Sequence, residues 1–232
     1  MHHLHAQLEN VHNKKRGEHM ADLDFYFDPI CPWAWITSRW VVEVQQQRSY
    51  DVSWKFIALR FVNEHKNYET DFPAGYTEIH GAGLNGIRVA AAARADGGND
   101  AVARVYTELG LAIHNRQERE ALQNDTHGHV SALLAKAGLN PTWADAIDST
   151  TYDDIIRAET TEALERTGKD VGTPIITFNP GSSREGSFFG PVISVIPRGE
   201  EATRLWDAIE VIATTSGMAE IKRSIREYPK FD

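Results

Sequence analysis

Hydrophobic residues alternate with other residues in the first stretch of the chain that has a clear pattern. Leu23, Phe25 and Phe27 are separated by polar or amphipathic positions. Because successive side chains of a strand point to opposite faces, this alternation predicts a β-strand over residues 21–28. Residues 1–20 have no comparable period, and we expect them to be a disordered leader outside the folded unit.

The spacing of the apolar residues then lengthens to four. Ile36, Trp40 and Val44 recur at this interval, which predicts a helix over residues 31–47. The segment 51–60 is rich in strand-forming residues and predicts a second strand. The chain therefore opens with a β–α–β unit.

Helical spacing dominates the middle of the chain, over residues 61–167. One apolar stripe there consists of Val102, Val105, Tyr106, Leu109 and Ile113. Two short strands, 174–179 and 187–190, are then predicted to form a hairpin around a turn-rich segment. The last stripe predicts a C-terminal helix that contains Ala202, Leu205, Trp206, Ile209, Ile212 and Ala213. The layout is thus βαβ, a helical insertion, then ββα.

The composition excludes several classes of partner. The chain has 232 residues, 41% of them hydrophobic, and a formal net charge of −9. An acidic chain lacks the basic face that binding to nucleic acid or to an anionic membrane requires. No apolar run has the length of a membrane span, and residues 1–20 lack the apolar core of a secretory signal. A single cysteine excludes an internal disulfide framework and suits the reducing cytoplasm, where we expect the protein.

The single cysteine, Cys31, lies where the first predicted strand meets the first predicted helix, in the segment FDPICPWAW. An isolated cysteine is most often an inert, buried apolar residue. At a helix N-terminus, however, free amide groups and the helix dipole stabilise a thiolate. We therefore predict a reactive thiol with a pKa below its usual value. Ala34 stands where a C-P-x-C redox motif would have its second cysteine.

Several separated motifs resemble one family. Besides FDPICPWAWITSRWVVEV, the chain contains IHN, DVGTPIITF, FFGPVISVIPRGEEATRLWDA and a terminal PKFD. In this order they are similar to the mycothiol-dependent nitroreductase group of actinobacterial DsbA-like proteins, over residues 22–232. The resemblance implies an α/β thioredoxin fold formed by residues 21–60 and 168–232, with an all-helical insertion domain over 61–167. The family pattern is C-P-W-C, so Ala34 is a departure from it.

The resemblance also implies a binding site around the cysteine. Thr173 and Pro174 would form the cis-proline loop that lies against the sulfur in thioredoxin folds, although the sequence alone favours an ordinary trans proline. Pro32, in the first turn of the helix, and Ala34 would border the thiol. Trp33, whose place the periodicity leaves open, would be a wall on which the substrate stacks.

Further candidates come from the insertion and from the end of the first strand. His114 and Asn115 lie in the matched IHN motif, which implies a role at the cleft between the domains. Without that match, a lone helical histidine is more often a surface or capping residue. Tyr68 and Tyr76 can offer hydroxyl groups to a polar ligand. Asp28, which precedes a proline, is predicted to form a turn.

The function that the resemblance implies is that of a cytoplasmic thiol oxidoreductase with mycothiol, a sugar–inositol thiol, as co-substrate. Cys31 would attack a disulfide, a mycothiolated protein or a small oxidised or nitro substrate, and a mixed disulfide would form. With Ala34 in the second position, another thiol molecule must release that intermediate. Two alternatives stay open: a kappa-transferase or isomerase-like thiol enzyme, and a redox-inactive binding protein. The sequence shows no metal, nucleotide or flavin motif.

Overall fold

A four-stranded mixed sheet is the centre of the fold in the computed structural model, which describes residues 21–231. The strands are β1 (Leu23–Phe27), β2 (Val52–Phe56), β3 (Ile175–Phe178) and β4 (Gly186–Phe189). They are ordered β2–β1–β3–β4; β1 is parallel to β2 and antiparallel to β3, and β3 is antiparallel to β4. The predicted order of elements and the predicted hairpin are confirmed.

Helices cover the sheet and fill the long connection between β2 and β3. They are α1 (Pro32–Gln47), α2 (Leu59–Val62), α3 (Tyr68–Asp71), α4 (Tyr76–Gly110), α5 (Arg119–Asn124), α6 (Thr126–Lys136), α7 (Asp153–Thr167) and α8 (Gly199–Thr214). A π-helical turn, Leu111–Asn115, continues α4, and 3₁₀ turns occupy Pro141–Ala146 and Thr150–Tyr152. Of the helices within residues 21–231, none combines the length and the apolar character needed to cross a bilayer. The predicted leader, residues 1–20, lies outside the described residues.

Both faces of the sheet are covered, so the alternation in β1 does not separate a buried face from an exposed one. All five residues of β1 are buried. The residues of β1 in the larger core cluster are Leu23, Phe25 and Phe27. A smaller cluster on the other face consists of Tyr26, Ile57, Ala163 and Ile175. Since Ala163 belongs to α7, this helix covers the second face.

Helix α7 contacts the sheet although the predicted division assigns it to the insertion. The Glu159 carboxylate accepts a hydrogen bond from Phe56 N at 2.8 Å. At its C-terminal end Arg166 pairs with the buried Asp24 of β1 at 2.9 Å. The domain over 61–167 stays a prediction, but α7 packs as a layer of the sheet.

The second strand is shorter than predicted. β2 ends at Phe56, and α2 begins at Leu59. The Thr160 hydroxyl accepts a hydrogen bond from Ala58 N at 3.1 Å, and the Asp28 carboxylate accepts one from Leu59 N at 2.9 Å. These two amides therefore have partners outside the sheet, and the chain turns away from the strand direction.

Helix α4 approaches the beginning of α1 closely through glycines. It breaks at Gly98, whose φ of +70° is one that glycine adopts without strain. A methyl group at Gly83 would overlap the Asp28 carboxylate, and one at Gly110 would overlap the Trp35 ring. The two parts of α4 thus contact the chain on either side of the cysteine.

Candidate active site

Cys31 caps helix α1 just after the carboxyl end of β1. Its backbone is extended, with φ −77° and ψ 114°, and its Sγ accepts a hydrogen bond from Ala34 N at 3.5 Å. On another side the thiol donates to Thr173 O at 3.4 Å. Only 6% of the residue is exposed. The sulfur therefore lies between the first turn of α1 and the loop before β3.

The expectation of a lowered thiol pKa is wrong for this structure. Burial raises the pKa of Cys31 from 9.0 to about 12. The Ala34 and Trp33 amides act in the expected direction, and the Asp28 carboxylate acts against them. Helix-terminal amides stabilise a charge by less than the lost hydration of a fully buried thiolate costs. In this conformation Cys31 is a thiol at neutral pH.

Thr173 and Pro174 form the loop that faces the sulfur, and the peptide bond between them is cis. Thr173 is buried, and its hydroxyl donates to Tyr26 O at 3.2 Å. Pro174 O accepts a hydrogen bond from Gly190 N at 2.9 Å. These bonds tie the loop to β1 on one side and to the end of β4 on the other, with the Thr173 carbonyl oxygen turned towards Cys31.

Pro32, Trp33 and Ala34 form the first turn of α1. Pro32 occupies a position where a helix needs no amide hydrogen, so its ring costs no hydrogen bond. Ala34 is completely buried. Pro32 and Trp33 are partly exposed, and Trp33 packs against the core cluster. Of these three residues, Pro32 and Trp33 are the ones that a bound molecule can reach.

His114 and Asn115 lie in the π-helical turn behind the loop that carries the cysteine. His114 Nε2 donates to Pro29 O at 2.8 Å, since a carbonyl only accepts, and the imidazole stacks on Trp35 at 6.0 Å. Asn115 Oδ1 accepts a hydrogen bond from Trp35 Nε1 at 2.9 Å. Burial lowers the pKa of His114 to about 4, so the ring is neutral at pH 7. These contacts hold Pro29 and Trp35, on either side of the cysteine, rather than the sulfur.

The C-terminal segment completes the packing around His114. Phe231 stacks on the imidazole at 5.4 Å. Lys230 N donates to Ser194 O at 2.8 Å, and Pro229 is buried. The terminal motif that supports the resemblance is thus packed against the IHN motif.

Tyr68 and Tyr76 lie in an aromatic cluster. Tyr68 Oη is 2.8 Å from His80 Nδ1, and the Tyr68 ring stacks on Phe72 at 4.8 Å. Phe72 in turn stacks on Tyr76 at 5.7 Å. The Arg60 guanidinium lies 4.7 Å from the centre of the Tyr68 ring. Within residues 21–231 these bonds and ring contacts, with Lys66 over the Phe72 ring, join the cluster to itself, to Arg60 and to Lys66, not to the cysteine.

Asp28 lies beside the cysteine in the structure, whereas the sequence pattern assigns it only to a turn. Its Oδ1 accepts a hydrogen bond from Ile30 N at 3.1 Å, which forms the predicted turn. Its Oδ2 also holds Leu59 N, the residue is completely buried, and burial raises the pKa of the carboxyl group to about 7. The one local signal in the sequence for this placement beside the site is the position of Asp28 three residues before the cysteine. Gly83, which leaves room for the carboxylate, is distant in the chain.

The part of the chain that the structure describes contains no group of three or more His, Cys, Asp or Glu side chains placed to hold a metal ion. His127 Nε2 lies 2.8 Å from an Asp145 oxygen, and His129 Nε2 lies 2.9 Å from a Glu118 oxygen. Each of these two histidines therefore has a separate carboxylate partner.

Comparison with known families tests the resemblance found in the motifs. The family described as "Rv2466c-like: Mycothiol-dependent nitroreductase Rv2466c" matches residues 30–223. The chain belongs to this family. A relative of this Rv2466c-like chain, the uncharacterized protein Rv2286c of Mycobacterium tuberculosis (strain ATCC 25618 / H37Rv), is 29% identical over 213 residues, 88% of this chain and 82% of the relative. The resemblance found in the motifs is confirmed.

Solved structures similar to this Rv2466c-like chain support the fold. The cytosolic disulfide reductase DsbM from Pseudomonas aeruginosa superposes with a TM-score of 0.52 at 17% identity, over 82% of this chain and 98% of DsbM. A structure of DsbM with GSH gives the same score and identity, over 81% of this chain and 98% of that one. At this identity the likeness shows the fold, a DsbA-like thioredoxin fold with helical additions.

Proposed function

We propose that this chain is a mycothiol-dependent thiol oxidoreductase in which Cys31 forms a mixed disulfide with its substrate. The position of the sulfur carries the proposal: it lies at the N-terminus of α1, beside the Ala34 amide and opposite the Thr173 carbonyl. The mycothiol-dependent family to which the chain belongs supports mycothiol as the co-substrate. The DsbM structure with GSH is consistent with a thiol of low molecular weight as the partner.

The proposed reaction consists of two successive thiol–disulfide exchanges at Cys31. The Cys31 thiolate attacks a mycothiol disulfide; its Sγ bonds to one mycothiol sulfur, and the other leaves as a thiolate that takes up a proton. A second free thiol attacks the mycothiol sulfur of the mixed disulfide, becomes oxidised, and releases Cys31 in its reduced form. Because Ala34 has no sulfur, this second step is bimolecular. We place the reaction in the cytoplasm, where thiols stay reduced.

The partly exposed residues beside the sulfur are the proposed binding surface for the thiol. Pro32 and Trp33 offer an apolar wall, and the Thr173 backbone borders the sulfur on another side. Mycothiol is a sugar–inositol thiol without free carboxylates, so stacking and neutral hydrogen bonds suit it better than ion pairs. Tyr68 and Tyr76, partly exposed, are the proposed contacts for its polar groups.

His114 and Asn115 have a supporting role in this proposal. His114 holds Pro29 O, and Asn115 holds the Trp35 indole, so the two residues fix the chain on either side of Cys31. They act through the position of the cysteine and not by contact with the reacting sulfur atoms.

Intact-mass measurement after exposure to oxidised mycothiol tests the site and the partner together. Since Cys31 is the only cysteine in the sequence, an adduct identifies its own position. We expect the mass of one mycothiol to be added, to be lost again with free thiol, and to be absent in Cys31→Ser. A folded wild-type protein that gains no mycothiol would overturn the proposal.

The two alternative classes give other results with the same material. A transferase or isomerase-like enzyme would turn over its substrate without consuming reducing equivalents. A redox-inactive binding protein would bind the thiol reversibly without the covalent mass increase.

A further inference from the structure

Asp28 is a buried carboxyl group for which residues 21–231 provide no cationic partner. Its two oxygens accept hydrogen bonds from the backbone amides of Ile30 and Leu59. Gly83 of α4 closes the space above the carboxylate. A buried charge without a partner is costly, and an asparagine could hold one of these amides without that cost. The turn alone does not account for a carboxylate at this position.

The carboxyl group and the thiol are both buried and come from one turn of the chain. Cys31 N donates to Asp28 O at 3.0 Å, so both side chains leave the same turn of the chain. Tyr106 of α4 is completely buried and stacks on Phe27, the residue before Asp28, at 3.9 Å. Burial raises the pKa of Tyr106, and the charges of Cys31 and Asp28 raise it further, so the three groups share one electrostatic environment.

We propose that Asp28 controls the ionisation of Cys31 through the charge that it carries. When Asp28 is a carboxylate, it keeps the nearby sulfur protonated, because two negative charges in one buried cluster repel each other. When Asp28 is protonated, this repulsion disappears and the thiolate forms more easily. The two groups then titrate as a coupled pair. Asp28 acts on the substrate only through Cys31. The proposal rests on the proposed function only in that the Cys31 thiolate is used there to attack a disulfide.

The raised pKa of Asp28, about 7, brings this change into the physiological range. The other groups near the cluster with shifted pKa values are shifted away from neutral pH. Tyr106 stays neutral because burial raises its pKa, and burial lowers the pKa of His80, one turn before Gly83 on α4, away from this range. The guanidinium of Arg60, next to Leu59 on α2, lies over the Tyr68 ring. The pH dependence near neutrality therefore belongs to Asp28.

Alkylation of Cys31 by iodoacetamide, measured against pH, tests the proposal without mycothiol. The comparison is wild type with Asp28→Asn. Below about pH 6 both proteins have a neutral group at position 28, and we expect similar rates. As the pH rises through 7, Asp28→Asn should become faster than wild type, by about tenfold for each pKa unit that the carboxylate adds to the thiol. Asp24→Asn is the control, because Asp24 is also buried on β1 but is paired with Arg166.

The shape of the rate ratio separates an effect of charge from an effect of structure. A ratio of Asp28→Asn to wild type that does not change with pH would overturn the proposal, and so would a rise of equal size in Asp24→Asn. If Asp28→Asn does not fold, carbon-13 NMR of the aspartate carboxyl groups in wild type decides. One signal that titrates near pH 7 supports the proposal, whereas ordinary acidic titration of all of them overturns it. A pH-dependent ratio without any mycothiol adduct would refute the proposed co-substrate and leave the role of Asp28 standing.

Discussion

Replacing Ala34 with cysteine should convert the proposed one-thiol chemistry into two-thiol chemistry. Cys31 has an extended backbone, and its Sγ already lies 3.5 Å from Ala34 N, so the side chain turns back over the first turn of the helix. A thiol at position 34 would therefore lie next to the sulfur of a mixed disulfide. We expect Ala34→Cys to displace the bound thiol and form an internal disulfide.

The size of the effect on stability follows from the packing of Ala34. The residue is completely buried, so an added sulfur overfills the site and should cost about 1–3 kcal/mol in the reduced protein. Closing a four-residue loop with a disulfide should return about 2 kcal/mol in the chain-entropy treatment. The oxidised variant should thus unfold at nearly the same urea concentration as wild type, and the reduced variant at a lower one.

The rate of thiol release distinguishes the two mechanisms. In wild type the release should be first order in free thiol, so a tenfold dilution slows it about tenfold. In Ala34→Cys it should become independent of free thiol below about millimolar concentrations, since the second sulfur is held nearby. Ala34→Ser is the control, because serine has nearly the volume of cysteine but no sulfur. Its thiol release should depend on free thiol as in wild type. If Ala34→Cys forms no disulfide and keeps the wild-type dependence on thiol, position 34 does not lie within reach of the Cys31 sulfur and the proposed mechanism is wrong.

Two further predictions concern the packing behind the cysteine. Gly110→Ala should destabilise the protein by about 1–3 kcal/mol because its methyl group would overlap Trp35, whereas Gly81→Ala in the same helix has open space and should stabilise it by about 0.5–1 kcal/mol. Urea unfolding of the pair checks this, and effects of the same sign would refute the close approach of α4 to Trp35. The pKa of His114 is lowered from 6.5 to about 4. The stability that the buried neutral imidazole contributes is therefore present above pH 6.5 and is lost as the pH falls towards 4. As the pH falls through this range, the difference in unfolding free energy between wild type and His114→Gln should shrink by up to about 3 kcal/mol. A difference that stays constant would contradict this prediction.

The order of the elements can be predicted because each strand and helix has its own local period. The period predicts the first helix over 31–47, and the structure has it at Pro32–Gln47. The end of the second strand cannot be predicted in this way, because the hydroxyl of Thr160 and the carboxylate of Asp28 capture its last amides from elsewhere in the chain. The placement of α7 on the sheet has the same cause, since Arg166 pairs with a residue of the first strand.

The candidate site likewise has features that the local sequence predicts and features that depend on distant residues. The position of Cys31 at a helix N-terminus is local information, and the structure has it there. The ionisation of its thiol is not local, because burial under the loop before β3 raises the pKa despite the helix amides. The environment of Asp28 depends on Gly83, and no pattern in one sequence connects these two positions.

The glycine contacts of α4 bear on how a substrate can enter. Gly83 touches the chain before the cysteine and Gly110 touches the chain after it, on the two sides of the break at Gly98. A hinge that swung the whole helical region away from the sheet would have to break both contacts at once. We therefore expect the helical region and the sheet to move as one body, with entry governed by displacement of the partly exposed Trp33 side chain.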